Sequence, residues 1–188
     1  VSIPDSSFCN DLTYNENNQI LINEISPLGF SFSDYTAIDA GEHNITAKLK
    51  YGYMWEDTSI DPVIFNCEIL LPTVIVSYDS KGGTSCDPKT VVYKEKYGDL
   101  CTTTQLGYTF SSWKDSGKNV ITSTSIVEND KNHTLDANWN ANIYTVKYHG
   151  NGATSGSTAS STHTYDVAKN LTANKYTKSK FKFIGWNT

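Results

Sequence analysis

Short stretches in which apolar and polar residues alternate recur along the chain. Within residues 42–51 the apolar positions are every second one, at Ile45, Ala47 and Leu49. The same alternation is present in residues 133–139. A period of two is typical of a strand with one buried face, whereas apolar residues at helical spacing are rare here. We therefore predict a mainly β protein.

One segment of the chain is present twice. Residues 76–83 (Val-Ser-Tyr-Asp-Ser-Lys-Gly-Gly) correspond to residues 146–153 (Val-Lys-Tyr-His-Gly-Asn-Gly-Ala). Residues 107–113 (Gly-Tyr-Thr-Phe-Ser-Ser-Trp) correspond to residues 180–186 (Lys-Phe-Lys-Phe-Ile-Gly-Trp). Both copies run from a strand through a glycine-rich turn to an aromatic alternation that ends in Trp. Such self-similarity predicts tandem modules of about seventy residues.

The two copies differ at their ends. The first continues past Trp113 and closes with the alternating segment 133–139, whereas the second reaches Thr188 without a counterpart of that segment. A sheet that lacks a strand exposes an edge and part of its core. We therefore expect a truncated second module, and expect residues 142–188 to be unstable alone or completed by another chain.

Four motifs carry a family resemblance: V-x-Y-[DH]-x-x-G-[GA], Y-G-x-L, G-Y-T-F-x-x-W and N-H-T-L-x-A-x-W. Residues 73–188 resemble the Listeria–Bacteroides repeat, also called the internalin B-repeat. The resemblance implies small β-grasp modules, each a sheet curled over one short helix or turn, in tandem on bacterial surface proteins. It also implies a stalk or adhesive segment and not an enzyme.

The second copy departs from this pattern at two places. Lys180 replaces the glycine that opens the Gly-Tyr-x-Phe motif, so a turn glycine is lost. Cys86 and Cys101 have no cysteine counterparts, and Thr172 aligns with Cys101. A disulfide between them would belong to the first copy alone.

Residues 1–71 predict several short strands separated by turns, which suggests a small sandwich. The stretches Tyr14-Asn-x-x-x-Gln19, Asp39-Ala-Gly-x-x-x-Ile-Thr-Ala47 and Tyr51-Gly-Tyr-x-Trp55 resemble the Ig-like, MBG-like modules of bacterial surface proteins. We thus predict an Ig-like β-sandwich followed by tandem β-grasp-like B-repeat modules in an elongated arrangement. The predicted domains are 1–71, 72–141 and 142–188.

The four cysteines form two local pairs by position. Cys9 and Cys67 bracket the first module, and Cys86 and Cys101 lie inside the second. An even count within single modules favours disulfides and an oxidising compartment. Four buried, reduced cysteines are the alternative. Zinc is disfavoured because there is no C-x-x-C and no cysteine at ligand spacing from a histidine.

Charge and motifs exclude several functions. The net charge is −5, and we find no cluster of either sign that would favour nucleic acid. The longest apolar run, residues 69–76, is interrupted by Pro72 and is too short for a membrane helix. The four histidines are scattered, and the chain has no G-x-S-x-G, H-E-x-x-H or phosphate-binding loop. We predict a non-enzymatic protein with no cofactor or metal.

Exposed aromatic residues are the remaining candidates for binding. Tyr51, Tyr53 and Trp55 cluster in the first module and form the candidate ligand patch. The predicted function is a stalk or spacer in a bacterial cell-surface or secreted protein, with adhesion to a host surface protein or glycan. The predicted partners also include neighbouring repeats of the same protein. The alternative is a carbohydrate-binding module appended to a secreted hydrolase.

Overall fold

The computed structural model describes residues 1–24 and 27–187. In these residues the chain has thirteen strands and one turn of 3-10 helix, Ser6–Phe8, so the mainly β prediction is confirmed. The strands are β1 (Leu12–Thr13), β2 (Gln19–Ile20), β3 (Phe30–Ser33), β4 (Thr36–Ala37), β5 (Gly41–Leu49), β6 (Val63–Leu70), β7 (Thr73–Asp79), β8 (Lys89–Val92), β9 (Tyr108–Lys114), β10 (Val120–Ile121), β11 (His133–Ala141), β12 (Ile143–Val146) and β13 (Ser161–Thr164).

The chain divides into two compact units. The first unit comprises Val1–Val76, Lys89–Gly98 and Thr124–His133, and the second comprises Ser77–Pro88, Asp99–Ser123 and Thr134–Thr188. The predicted domain boundaries, at 71/72 and 141/142, stay a prediction.

The first module contains a four-stranded sheet in the order β1-β6-β5-β3. Strands β5 and β6 are antiparallel and place His43 opposite Cys67, whereas β1 is parallel to β6. The sequence around residues 12–22 predicts a strand, a turn and a strand, and both strands form. They do not pair with each other, because β1 pairs with β6 and β2 with β4.

The core of this module is aromatic. Phe30 and Phe32 are buried and point to the same side of β3, while Ser31 between them is exposed. Phe30 packs against Trp55 with ring centres 5.3 Å apart, and Phe32 packs against Phe65 at 5.7 Å. Burial of each such side chain stabilises the fold by roughly 1.5–3 kcal/mol.

The first copy of the repeat forms a five-stranded sheet in the order β10-β9-β11-β7-β8. Strand β11 confirms the predicted closing strand, since Leu135 and Ala137 are buried and Thr134 is exposed. Its pairing with β9 shifts register between Asn138 and Trp139.

The second copy is less regular. Strands β12 and β13 pair antiparallel and place Tyr144 opposite His163. One further bridge joins Ser155 to Thr177. Residues 180–187, which correspond by sequence to β9, are not in a strand.

Candidate functional site

Both copies hold their tryptophan by the same hydrogen bond. The indole Nε1 of Trp113 donates to the backbone oxygen of Cys101 at 2.8 Å. Trp186 Nε1 donates to the backbone oxygen of Thr172 at 2.9 Å. The alignment of Thr172 with Cys101, made from sequence, thus corresponds to a shared contact. Buried indole N–H groups need such an acceptor.

The tyrosine of the V-x-Y motif packs against that tryptophan in each copy. Tyr78 and Trp113 have ring centres 4.8 Å apart, and Tyr148 and Trp186 have ring centres 4.6 Å apart. Burial raises the pKa of Tyr78 above its ordinary value. These residues form the core of the two modules, as their recurrence at repeat positions predicts.

Within residues 1–24 and 27–187, a strand covers this core in the first copy and not in the second. Trp139 of β11 lies edge-on to Phe110 at 5.4 Å and donates from Nε1 to the backbone oxygen of Ser80 at 2.9 Å. In the second copy Phe183, which aligns with Phe110, is 46% exposed. It lines a groove of about 590 Å³ together with Trp186.

The second copy also carries a basic segment that contradicts the absence of charge clusters inferred from the sequence. Residues 167–187 contain no Asp or Glu, and their five lysines are Lys169, Lys175, Lys178, Lys180 and Lys182. Lys178 and Lys182 line the groove, and the Lys178 ammonium lies 4.9 Å from the ring centre of Phe181. Counting charge over short windows, and not over the whole chain, would have found this segment.

The three residues of the candidate ligand patch differ in their exposure to solvent. Tyr51 is fully exposed and Tyr53 is 43% exposed, but Trp55 is only 1% exposed. The Trp55 Nε1 group donates to the backbone oxygen of Asp61 at 2.7 Å. Trp55 is therefore a core residue, and Tyr51 and Tyr53 are the members that a ligand could reach.

The structure contains both predicted disulfides. Cys9 and Cys67 are joined with a Cα–Cα distance of 5.4 Å, and Cys86 and Cys101 with 6.0 Å. Both distances are ordinary for disulfides. Two intramodular disulfides indicate an extracellular, oxidising environment.

His133 and His163 form hydrogen bonds within the modules. His133 Nδ1 donates to the backbone oxygen of Lys131 at 2.8 Å, and Nε2 lies 2.7 Å from the hydroxyl of Tyr97. His163 Nε2 lies 2.8 Å from the Ser161 hydroxyl, which also contacts the Tyr148 hydroxyl at 2.8 Å. These contacts link neighbouring elements of the modules.

A small network of exposed ions connects the glycine-rich turn of the first copy to β11. Lys81 Nζ lies 2.6 Å from Asp79 and 3.2 Å from Asp136, and Lys118 lies 3.6 Å from Asp136. The hydrogen bond to Asp79, and then that to Asp136, raises the pKa of Lys81. Over residues 1–24 and 27–187, no group of three His, Cys, Asp or Glu side chains could hold a metal ion.

These features define the second half of the chain as a tandem β-repeat with a shared aromatic core. Residues 75–138 and 144–188 match the Listeria-Bacteroides repeat domain. Since the matches cover more than half of the sequence, the chain belongs to this family of repeat domains, which is typical of bacterial surface proteins, and no catalytic family is identified. A comparison with curated proteins finds no match. None of the described helical structure is long enough to cross a membrane.

Proposed function

We propose that this chain is a non-catalytic spacer in the extracellular part of a bacterial cell-surface or secreted protein, where it keeps a neighbouring domain away from the cell wall. Short connections between the modules carry the proposal. Two residues separate β6 from β7, and Asn142 alone separates β11 from β12. Connections this short restrict hinge motion.

Contacts within the first compact unit support a stiff connection between the first module and the repeat. The Tyr14 N–H donates to the backbone oxygen of Leu70 at 2.8 Å, and the Tyr93 N–H donates to that of Pro72 at 2.9 Å. The rings of Tyr14 and Tyr93 are stacked with centres 6.3 Å apart. The backbone at the end of β6 and in the linker is therefore hydrogen-bonded to residues of both modules.

A distance measurement tests the spacer function. Two labels introduced as non-natural amino acids at the exposed positions Ser31 and Glu95, both in the first compact unit, would report the distance distribution between the first module and the first copy of the repeat. We expect one narrow distribution. As a control, six Gly-Ser residues inserted after Pro72 should broaden it. A distribution as broad in the native chain as in the control would contradict the proposal.

The proposal also includes a fold assignment for the first module and one for the repeats. We take the first module as Ig-like, because a disulfide and an aromatic core hold its four-stranded sheet. We take the repeats as β-grasp-like, supported by the five-stranded sheet of the first copy. Strand-to-strand amide contacts in solution would test both.

Adhesion is a second proposed function, favoured by the exposure of Tyr51 and Tyr53. Exposed tyrosines can stack on sugar rings or fill a pocket of a host protein. Saturable binding on a glycan array, lost in Tyr51→Ala with Tyr53→Ala, would favour a carbohydrate-binding module. Host-protein binding without glycan binding would favour an adhesive stalk. Tyr144→Ala, at another half-exposed tyrosine, is the matched control. Binding unaffected by the double variant would exclude this patch.

A further inference from the structure

Asn142, the single residue that links the two repeats, is hydrogen-bonded through its N–H, its carbonyl and its side chain. The Asn142 N–H donates to the backbone oxygen of Gly107 at 2.9 Å, and the Tyr165 N–H donates to the Asn142 oxygen at 2.9 Å. The Thr109 hydroxyl donates to Asn142 Oδ1 at 2.6 Å. The first copy thus holds the linker N–H and side chain, and the second copy holds its carbonyl.

An aromatic ring of the second copy lies directly on a glycine of the first. A Cβ atom built on Gly107 would overlap ring carbons of Tyr165. The Tyr165 ring also lies edge-on to Tyr108, with centres 5.4 Å apart. The glycine that opens the G-Y-T-F motif therefore leaves space for a residue of the following repeat.

A carboxylate of the second copy also contacts the first copy. The Tyr108 hydroxyl donates to Asp166 Oδ2 at 3.0 Å. Hydrogen bonds to a charged acceptor are stronger than those between neutral groups. Gly107, Tyr108 and Thr109, which we name the docking surface, thus receive a ring and a carboxylate from adjacent residues of the next repeat.

The second copy lacks every feature of the docking surface. At the positions of Gly107, Tyr108 and Thr109 it has Lys180, Phe181 and Lys182. Lys180 keeps the left-handed backbone, with φ +63° against +79° at Gly107. At the position of Gly107 its Cβ atom would overlap the ring of Tyr165. Phe181 has no hydroxyl to donate to a carboxylate, and Lys182 replaces the threonine hydroxyl.

We propose that the docking surface selects the following module by an aromatic residue followed by an acidic one, as in Tyr165-Asp166. The second copy, with Lys-Phe-Lys at these positions, does not accept a repeat by this joint. The docking surface thereby determines which repeat can pack against the one before it, and this goes beyond the proposed spacer function.

Amide hydrogen exchange of the full chain tests the glycine. In Gly107→Lys, and in the smaller change Gly107→Ala, the exchange rates of the Asn142 and Tyr165 amides should rise at least tenfold. Both substitutions also introduce backbone strain, because Gly107 has φ +79°, so the control must introduce the same strain at a position without a packed neighbour. Gly52→Lys is the matched control, since Gly52 has φ +88° and no neighbour near an added Cβ. Unchanged exchange in both Gly107 variants would overturn the proposal.

Two further variants separate docking from general damage to the fold. In a Tyr165→Ala background, Gly107→Lys should add little to the exchange of Asn142, because the ring that it displaces is gone. An equal increase in both backgrounds would overturn the role of the ring. Replacing residues 107–109 by Lys-Phe-Lys should raise exchange at Asn142 and Tyr165 beyond the single variant. Full protection in that chain would show that the second copy's surface does accept a repeat.

Discussion

The two copies of the repeat share a core and differ in what covers it. Each packs a tyrosine against a tryptophan whose indole donates to a backbone carbonyl. The first copy adds β11 and a disulfide, and its Trp113 is 2% exposed. The second copy has no cysteine, its described residues form no counterpart of β11, and Phe183 in its aromatic segment is 46% exposed.

In the contact that both copies share, the acceptor is a backbone carbonyl oxygen. The acceptor belongs to Cys101 in one copy and Thr172 in the other, so the side chain at this position is free to vary. Because only the carbonyl is required, the disulfide can be present in one copy without altering the module. The disulfide and the closing strand are additions to a common core.

Truncation of the two tryptophans should give the largest effect and separate the copies. Trp113→Ala should lower the free energy of unfolding of the first copy by about 3–5 kcal/mol, as expected for a buried aromatic residue. Trp186→Ala should cost less, roughly 1–2 kcal/mol, because part of its ring already meets solvent. Residue-resolved amide exchange in increasing urea would report each copy separately. Equal losses of unfolding free energy in the two copies would contradict the inference that the core of the first copy is more deeply buried than that of the second.

Removal of the Cys86–Cys101 disulfide should make the first copy more like the second. Serine at both positions should destabilise the first copy by about 3 kcal/mol, since the loop is short and the effect acts mainly on the unfolded chain. The second copy should keep its exchange rates. The matched control is serine at Cys9 and Cys67, which should affect the first module instead. A comparable loss in the second copy after removal of Cys86–Cys101 would show that the copies do not unfold separately.

The sequence predicts the parts of the fold that depend on local pattern. The alternation in residues 133–139 identified β11, and the motif alignment placed Thr172 opposite Cys101. Period-two patterns and repeats are visible in one dimension, because each concerns residues a fixed distance apart.

Contacts between distant residues were not predictable in the same way. Trp55 lies among exposed aromatic and acidic neighbours in the sequence, yet it packs on Phe30. The contact of Tyr165 with Gly107 joins residues in different copies, so no local pattern indicates it. A glycine in a motif indicates a position where a side chain would not fit, but it does not indicate which neighbouring side chain occupies the space.

The ionic network of the first copy should contribute little. Asp136→Asn removes the carboxylate that pairs with Lys118 and one of the two that pair with Lys81, and these side chains are substantially exposed. The expected loss is about 0.2–1 kcal/mol, and it should shrink as salt is added. Urea unfolding at low and high salt would measure it. The second copy has Asn151 in place of Lys81, and Asn151→Ala should show no salt dependence. A loss that persisted in high salt would indicate a role for Asp136 other than ion pairing.

The smallest effect concerns pH and the joint between the copies. The hydrogen bond to Asp166 raises the pKa of Tyr108, and desolvation adds to this. A raised pKa means that the neutral hydroxyl is favoured in the folded state. Its contribution is complete below the ordinary tyrosine pKa of about 10 and is lost as pH rises through the folded value.

We therefore expect the joint to loosen at alkaline pH, because an ionised Tyr108 would face the Asp166 carboxylate. Tyrosine ring signals of Tyr165, followed by NMR from pH 8 to 12, should shift with the titration of Tyr108. Tyr108→Phe, which copies Phe181 of the second repeat, should remove that step. If the step persists in Tyr108→Phe, the alkaline change belongs to another group and the hydroxyl does not hold the joint.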